Sequence, residues 1–176
     1  MAKYLTCAET AKLVRKALKA RFGKKQKFSV RSKTYSGGAS IDVSWTDGPT
    51  TREVDKVAKL FAGATFDGMI DLKSHHTSLL SNEDGSVEEV RFGSDFVFTH
   101  REISEAAREA IIDDLRAELG EEPKGYMPID AREYEGKPVW VHGGANGSND
   151  VGTLVYRYAH HLDLSNGIPP LRKVAR

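Results

Sequence analysis

Six histidines, one cysteine and a scatter of aspartates are the side chains here that could bind metal, attack an electrophile or activate water. His75-His76 and His160-His161 are adjacent pairs, and neighbours on a strand point to opposite faces, so neither pair chelates an ion by itself. His100 and His142 stand apart, and no H-x-x-x-H or C-x-x-C spacing occurs. Cys7 sits where a helix starts, a position that favours a thiolate, but no histidine neighbours it. Among the carboxylates Asp67, Asp71, Asp95, Asp113 and Asp114, the pair Asp71 and Asp95 falls on one polar strand face. Paired there, they would suit a metal-dependent hydrolase. Lys73 and Arg91 share that face, which reads instead as an ion-paired surface. Residues 143–152 are rich in Gly and Asn, as an anion-cradling loop is, yet they lack the lysine and the following helix of a phosphate loop. The expectation is a protein with no catalytic residue, no metal and no cofactor.

The strongest signal is charge. The chain nets +1, but its first 34 residues carry eleven Lys and Arg against the single Glu9, an excess of ten that the remainder offsets with nine negative charges. Such a split points to an anionic partner. The candidate binding residues are Lys12, Lys16, Lys19, Lys24, Lys25, Lys27, Arg31 and Lys33. Tyr35 offers a stacking ring on the strand parity of Arg31 and Lys33. A solvated helix face is the structural alternative. Phe28 and Trp45 are expected in the core, so the outer sheet face lacks the paired aromatics of an RNA-recognition sheet.

These residues must be positioned by elements that the pattern makes legible. Thr6-Cys7-Ala8-Glu9 fits a capping box, and Ala11, Val14, Leu18 and Phe22 follow at helical spacing up to Gly23. Lys12, Arg15, Lys16 and Lys19 fall outside that stripe. Strict alternation in residues 27–34 and 40–45 predicts a hairpin turning at 35–38. Thr50-Thr51-Arg52-Glu53 opens a second helix with Val54, Val57, Ala58 and Phe61 inward. A second strand pair is predicted at about 68–80 and 87–100, with Gly93 as a bulge. A third helix covers about 104–119 on Ala107, Ile111, Leu115 and Leu119, its acidic outer face carrying Glu102, Glu105, Glu109, Asp113, Asp114 and Glu118. Strands at 138–142 and 153–160 would close a last hairpin, and the tail with Pro169-Pro170 would be frayed.

The order helix, hairpin, helix, hairpin predicts an α+β fold: a two-layer sandwich whose antiparallel sheet comes from two hairpins covered by helices. The division is an αββαββ domain over residues 1–101 and a helix plus β-hairpin extension over 102–176, packed on it. A chain of 176 residues suits one such domain with an extension. No apolar run approaches the ~18–20 residues of a membrane span. One cysteine requires no oxidising compartment, so the cytoplasm is expected.

The runs at 28–50 (Phe28-Ser29-Val30-Arg31 through Trp45-Thr46-Asp47-Gly48-Pro49), 61–71 (Phe61-Ala62-Gly63 through Ile70-Asp71) and 93–101 (Gly93-Ser94-Asp95-Phe96 through His100-Arg101) resemble the large polyvalent protein-associated domain, type 29. The resemblance covers about residues 8–101. It implies a setting on phages, plasmids or conjugative elements, where such domains protect incoming DNA or blunt host defences, and it carries over no catalytic residue. Three functions follow as expectations. The first is a counter-defence inhibitor binding a host defence complex such as a CRISPR effector. The second is a sequence-tolerant nucleic-acid-binding protein that escorts incoming DNA. The third is the hydrolase of Asp71, Asp95 and histidines.

Overall fold

The computed structural model describes residues 2–81, 84–119, 129–134, 137–141, 155–156 and 159–167, the side chains of Leu115, Glu118, Leu119 and 129–141 excepted. It is α+β, with helices α1 (Cys7–Phe22), α2 (Thr51–Ala58) and α3 (Glu105–Leu119) and several small antiparallel and mixed sheets among the described residues, and it divides into two compact units. The first is Met1–Trp45 with Thr51–His100, and the second is Thr46–Thr50 with Arg101–Arg176.

In the first unit, strand β1 (Lys3–Thr6) runs directly into helix α1 (Cys7–Phe22). The junction is held by the capping box that the sequence predicts. Thr6 Oγ1 accepts from the Glu9 backbone N–H at 3.2 Å, and Glu9 Oε2 accepts from the Thr6 backbone N–H at 2.8 Å. Two orphan donors of the first turn are thereby satisfied. At the other end Gly23 takes φ +79° and returns its N–H to Lys19 O.

The alternating segment forms the hairpin of β2 (Ser29–Tyr35) and β3 (Gly38–Thr46), with Val30 opposite Val43, Arg31 opposite Asp42 and Lys33 opposite Ser40. Helix α2 (Thr51–Ala58) follows, buries Val54 and Ala58, and tightens to a 3-10 turn at Lys59–Phe61. The remaining strands are β4 (Ala64–Asp67), β5 (Leu72–His75), β6 (Ser78–Ser81), β7 (Val87–Gly93) and β8 (Phe96–Glu102).

Their pairing is finer-grained than two long hairpins. The stretch 68–80 is a turn followed by β5 and β6, and 87–100 is broken at Ser94-Asp95 into β7 and β8. One three-stranded sheet has the order β2-β3-β8 and a second the order β1-β7-β6, while β4 and β5 form a hairpin of their own. β1 pairs with β7 in parallel and β6 with β7 antiparallel. Gly93 is not a bulge. It ends β7 where β1 meets α1, and a Cβ there would collide with the Leu5 carbonyl and stand 2.9 Å from the Cys7 nitrogen.

Helix α1 covers both three-stranded sheets. Ala11, Val14 and Leu18 pack with Val30, Ile41, Val43, Trp45, Val54, Ala58 and Val97. On its other flank Leu13 joins Leu5, Val90, Phe92, Phe61 and Leu80. Burying these branched and aromatic side chains is the main stabilising term of the unit, at roughly 1.5–3 kcal/mol for each fully buried one.

The second unit holds helix α3 (Glu105–Leu119) and the antiparallel strands β9 (Ile129–Tyr134) and β10 (Lys137–Val141). Ser104 Oγ accepts from the Ala107 N–H at 3.1 Å and caps α3, whose Ile111 is fully buried. The terminal hairpin therefore exists, but β10 pairs with the strand before it. Val155, Tyr156, Ala159 and His160 are helical, which corrects the strand expected at 153–160. Alternation in Val155-Tyr156-Arg157-Tyr158 misleads because Val155, Ala159 and Leu162 also recur at helical spacing, and all three are buried. The Gly/Asn-rich segment 143–152 and the tail from residue 168 lie outside the described residues.

The unit is organised by Arg101, a buried guanidinium. Its Nε donates to Asp47 O at 2.9 Å, Nη1 to Ala159 O at 3.0 Å, and Nη2 to Gly48 O and Leu162 O at 2.8 and 2.9 Å. The fork gathers four carbonyls from two segments of the unit, Gly48 O also accepting the Leu164 N–H at 2.8 Å, with Asp47 and Gly48 both at positive φ.

Candidate functional site

The cations of the amino-terminal segment fall into three groups. Lys12, Arg15 and Lys19 occupy one flank of α1, while Lys16 borders the other flank with Leu13, Ala17 and Ala20. Lys24, Lys25 and Lys27 lie exposed in the connection that follows Gly23. Arg31, Lys33 and Tyr35 project from β2 on the sheet face away from α1, because Val30 points to the helix and strand neighbours alternate. Helix cations and strand cations thus lie on opposite faces of the hairpin and approach each other only around β2, an edge strand.

Among the described residues, the lysine and arginine ion pairs within 4 Å engage Lys3, Lys59, Lys73 and Arg116, and none of these pairs engages Lys19, Lys24, Lys25, Lys27, Arg31 or Lys33. Arg15 is oriented: its Nη2 donates to the Val30 carbonyl of β2. Together with Lys19, Lys24, Gln26 and Phe28 it lines a cleft of about 350 Å³. Tyr35 is about half exposed, while Trp45 is buried and Phe28 packs at a tilt against both Phe22 and Trp45, with ring centroids at 5.6 and 5.7 Å.

The carboxylates have other work. Asp95 is buried, and its Oδ2 accepts from the Ala39 N–H at 3.1 Å and from Lys73 Nζ at 3.1 Å, while His75 Nδ1 lies 3.6 Å from Oδ1. Asp71 lies exposed in the turn of the β4–β5 hairpin at φ +50°. Asp95 is therefore tied to an amide, an ammonium and an imidazole rather than aimed at open solvent. The described histidines do not converge. His100 lies 3.9 Å from Asp42, His76 is exposed, His160 stacks on Tyr156, and no group of three metal-ligating side chains occurs among the described residues. His142 lies outside them. Burial pushes the Cys7 thiol up, with the Asp95 charge adding to it, and Sγ lies 3.5 Å from the Ser40 carbonyl. That is the reverse of an activated thiolate, because desolvation outweighs the first-turn dipoles.

Sequence reasoning missed the β4–β5 hairpin. Its tip exposes Phe66, Met69, Ile70 and Leu72, each more than half accessible and Met69 at 95%. The tip is shaped by an Asp67 Oδ1 bond from the Met69 N–H at 2.9 Å. Its base is latched to the sheets by Lys73 to Gly37 O at 2.8 Å, Gly63 N to Ser94 O at 2.8 Å and Ala64 N to Asp95 O at 3.1 Å. The available signal was the run Phe66-Asp67-Gly68-Met69-Ile70-Asp71-Leu72, where Asp-Gly marks a turn inside an apolar stretch.

These features define a small α+β domain of two mixed sheets under a shared helix, with cations around one sheet edge and an apolar hairpin standing apart. The chain belongs to the family of the large polyvalent protein associated domain 29, whose model matches residues 5–104, more than half its length. That membership associates it with phages and other mobile elements. No curated protein and no solved structure matches it. No helix among the described residues is long and apolar enough to cross a membrane.

Proposed function

We propose that the protein is a non-enzymatic accessory protein of a mobile element that acts stoichiometrically, in the host cytoplasm, by binding a host defence complex such as a CRISPR effector. The observation that carries this reading is the β4–β5 tip. Four large apolar side chains on one hairpin, Met69 and Ile70 in its turn and Phe66 and Leu72 on the strands beside it, are exposed rather than packed in the core. Clustered exposed apolar groups mark protein-binding surfaces, and aromatic and Met anchors are enriched at such contacts. Asp67 and Asp71 flank the tip, so the complementary surface is an apolar pocket with a basic rim, as a nucleic-acid-handling complex presents. The family's association with mobile elements supplies the setting.

The test is copurification of the tagged chain with the host complex from nuclease-treated lysate, followed by titration of the purified complex. Inhibition should reach its end point near equimolar protein. Inhibition that persists at far substoichiometric amounts would overturn the reading, because it requires turnover.

A further inference from the structure

The cleft between the last turns of α1 and the edge of β2 has chemistry that the protein-binding reading does not use. Its walls bring Arg15, Lys19 and Lys24 around about 350 Å³, with Phe28 and Val30 also lining it, and no carboxylate lines it among the described residues. The volume is at the lower end of the roughly 300–1,000 Å³ of ligand clefts. Three like charges held round one concavity repel one another, and no ion pair among the described residues compensates Lys19 or Lys24. An anion in the cleft removes that cost.

Arg15 is prepared for the role. One of its five N–H donors is used on the Val30 carbonyl, which fixes the guanidinium plane against the edge strand and leaves the rest of the fork for an oxyanion. Fixing the plane beforehand lowers the entropy cost of binding. Phe28 is immobilised between Phe22 and Trp45, so the cleft also holds a rigid aromatic wall on which an unstacked base can lie.

We propose that this cleft binds the phosphodiester backbone of single-stranded nucleic acid, without sequence preference, through Arg15, Lys19 and Lys24, with a base against Phe28. A duplex fits less well, because its bases are stacked on one another and paired, and so are not free to lie against Phe28. Arg31, Lys33 and Tyr35 project from the opposite sheet face and take no part. Binding in the cleft does not depend on what the β4–β5 hairpin contacts.

The experiment is fluorescence anisotropy of a labelled oligothymidylate of about 12 nucleotides against the full chain. Wild-type protein should bind it at low salt with a log–log salt slope of about −2, from roughly 0.7 per neutralised phosphate and three cations. The double substitution Lys19→Glu with Lys24→Glu should weaken binding by more than about tenfold, since each change removes a cation and sets a carboxylate against the phosphates. Neither lysine supports the fold through an ion pair among the described residues, so a circular-dichroism melt close to wild type will accompany the weakened binding. Arg31→Glu with Lys33→Glu should change binding by less than about twofold. The site is overturned if the Lys19/Lys24 variant binds as wild type does, or if the Arg31/Lys33 variant is weakened as much. No wild-type binding at low salt overturns nucleic-acid recognition altogether. A duplex of equal length binding at least as tightly, or complete displacement by millimolar inorganic phosphate, overturns the single-strand assignment.

Discussion

The ammonium of Lys73 sits 3.1 Å from Oδ2 of Asp95, and this pair joins the base of the β4–β5 hairpin to the start of β8. The same oxygen accepts the Ala39 N–H, so one buried carboxylate connects β3, β5 and β8. Gly38 completes the arrangement. At φ +152° it has no Cβ, and any Cβ would overlap Asp95 Oδ2.

Asp95→Ala should destabilise the first unit by about 2–3 kcal/mol, because it leaves the Ala39 amide without its acceptor and strips the Lys73 ammonium of its carboxylate. Gly38→Ala should cost a similar amount, about 1–3 kcal/mol, by overpacking and backbone strain. Urea unfolding followed by circular dichroism measures both. Wild-type stability in either variant would show that the latch does not hold the hairpin.

Met69→Asp with Ile70→Asp should leave the melting curve nearly unchanged, within about 0.5 kcal/mol, since neither side chain is buried. It should abolish copurification with the host complex. Retained capture would show that the tip does not touch the partner.

Arg101→Ala should cost the second unit at least about 3 kcal/mol, since four carbonyl acceptors are deprived of a charged donor. Arg101→Lys should recover little, because an ammonium cannot reproduce the planar fork. Denaturant titration and amide exchange in α3 report the effect.

Thr6→Ala should destabilise α1 by about 1 kcal/mol through removal of the cap. The Thr6 hydrogen bonds, its hydroxyl first and then its backbone N–H, with Lys12 and Lys3 nearby, hold the Glu9 carboxyl below its ordinary value of 4.5. A carboxylate lowered by folding contributes stability that is present above the unfolded value and disappears as pH falls through the folded one. The capping box should therefore weaken on acidification below about pH 4.5, and Glu9→Gln should flatten that part of the stability–pH curve. Unfolding series at stepped pH will show whether it does.

Cys7 should react with a disulfide reagent at pH 8 more slowly than the same thiol in urea-unfolded chain, by more than about tenfold. Burial and the nearby Asp95 charge both disfavour its thiolate. Equal rates would place the thiol at the surface.

Much of the local structure was legible in the residues. The Thr6–Glu9 box, the α1 stripe Ala11–Val14–Leu18 and the Val30–Val43 alternation each depend on neighbours three to four positions apart or on one short turn, and each formed as the pattern requires. Strand partners were less legible. Parallel pairing of β1 with β7 joins residues almost ninety positions apart, and nothing in Lys3-Tyr4-Leu5-Thr6 names that partner. The helical turn at Val155 was hidden because apolar residues there satisfy both periods.

The sequence by itself determined α1, α2, α3 and the β2–β3 hairpin, the excess of positive charge in the first 34 residues and the family kinship, because these are properties of composition and short-range spacing. Only the tertiary structure decided which cations share a surface. The pleat of β2 sends Arg31 and Lys33 to the face opposite α1 and leaves Arg15, Lys19 and Lys24 together at the edge. It alone made Asp95 a latch for the hairpin that carries Met69. Charge counts ignore direction, and direction is fixed only when a strand acquires a buried face.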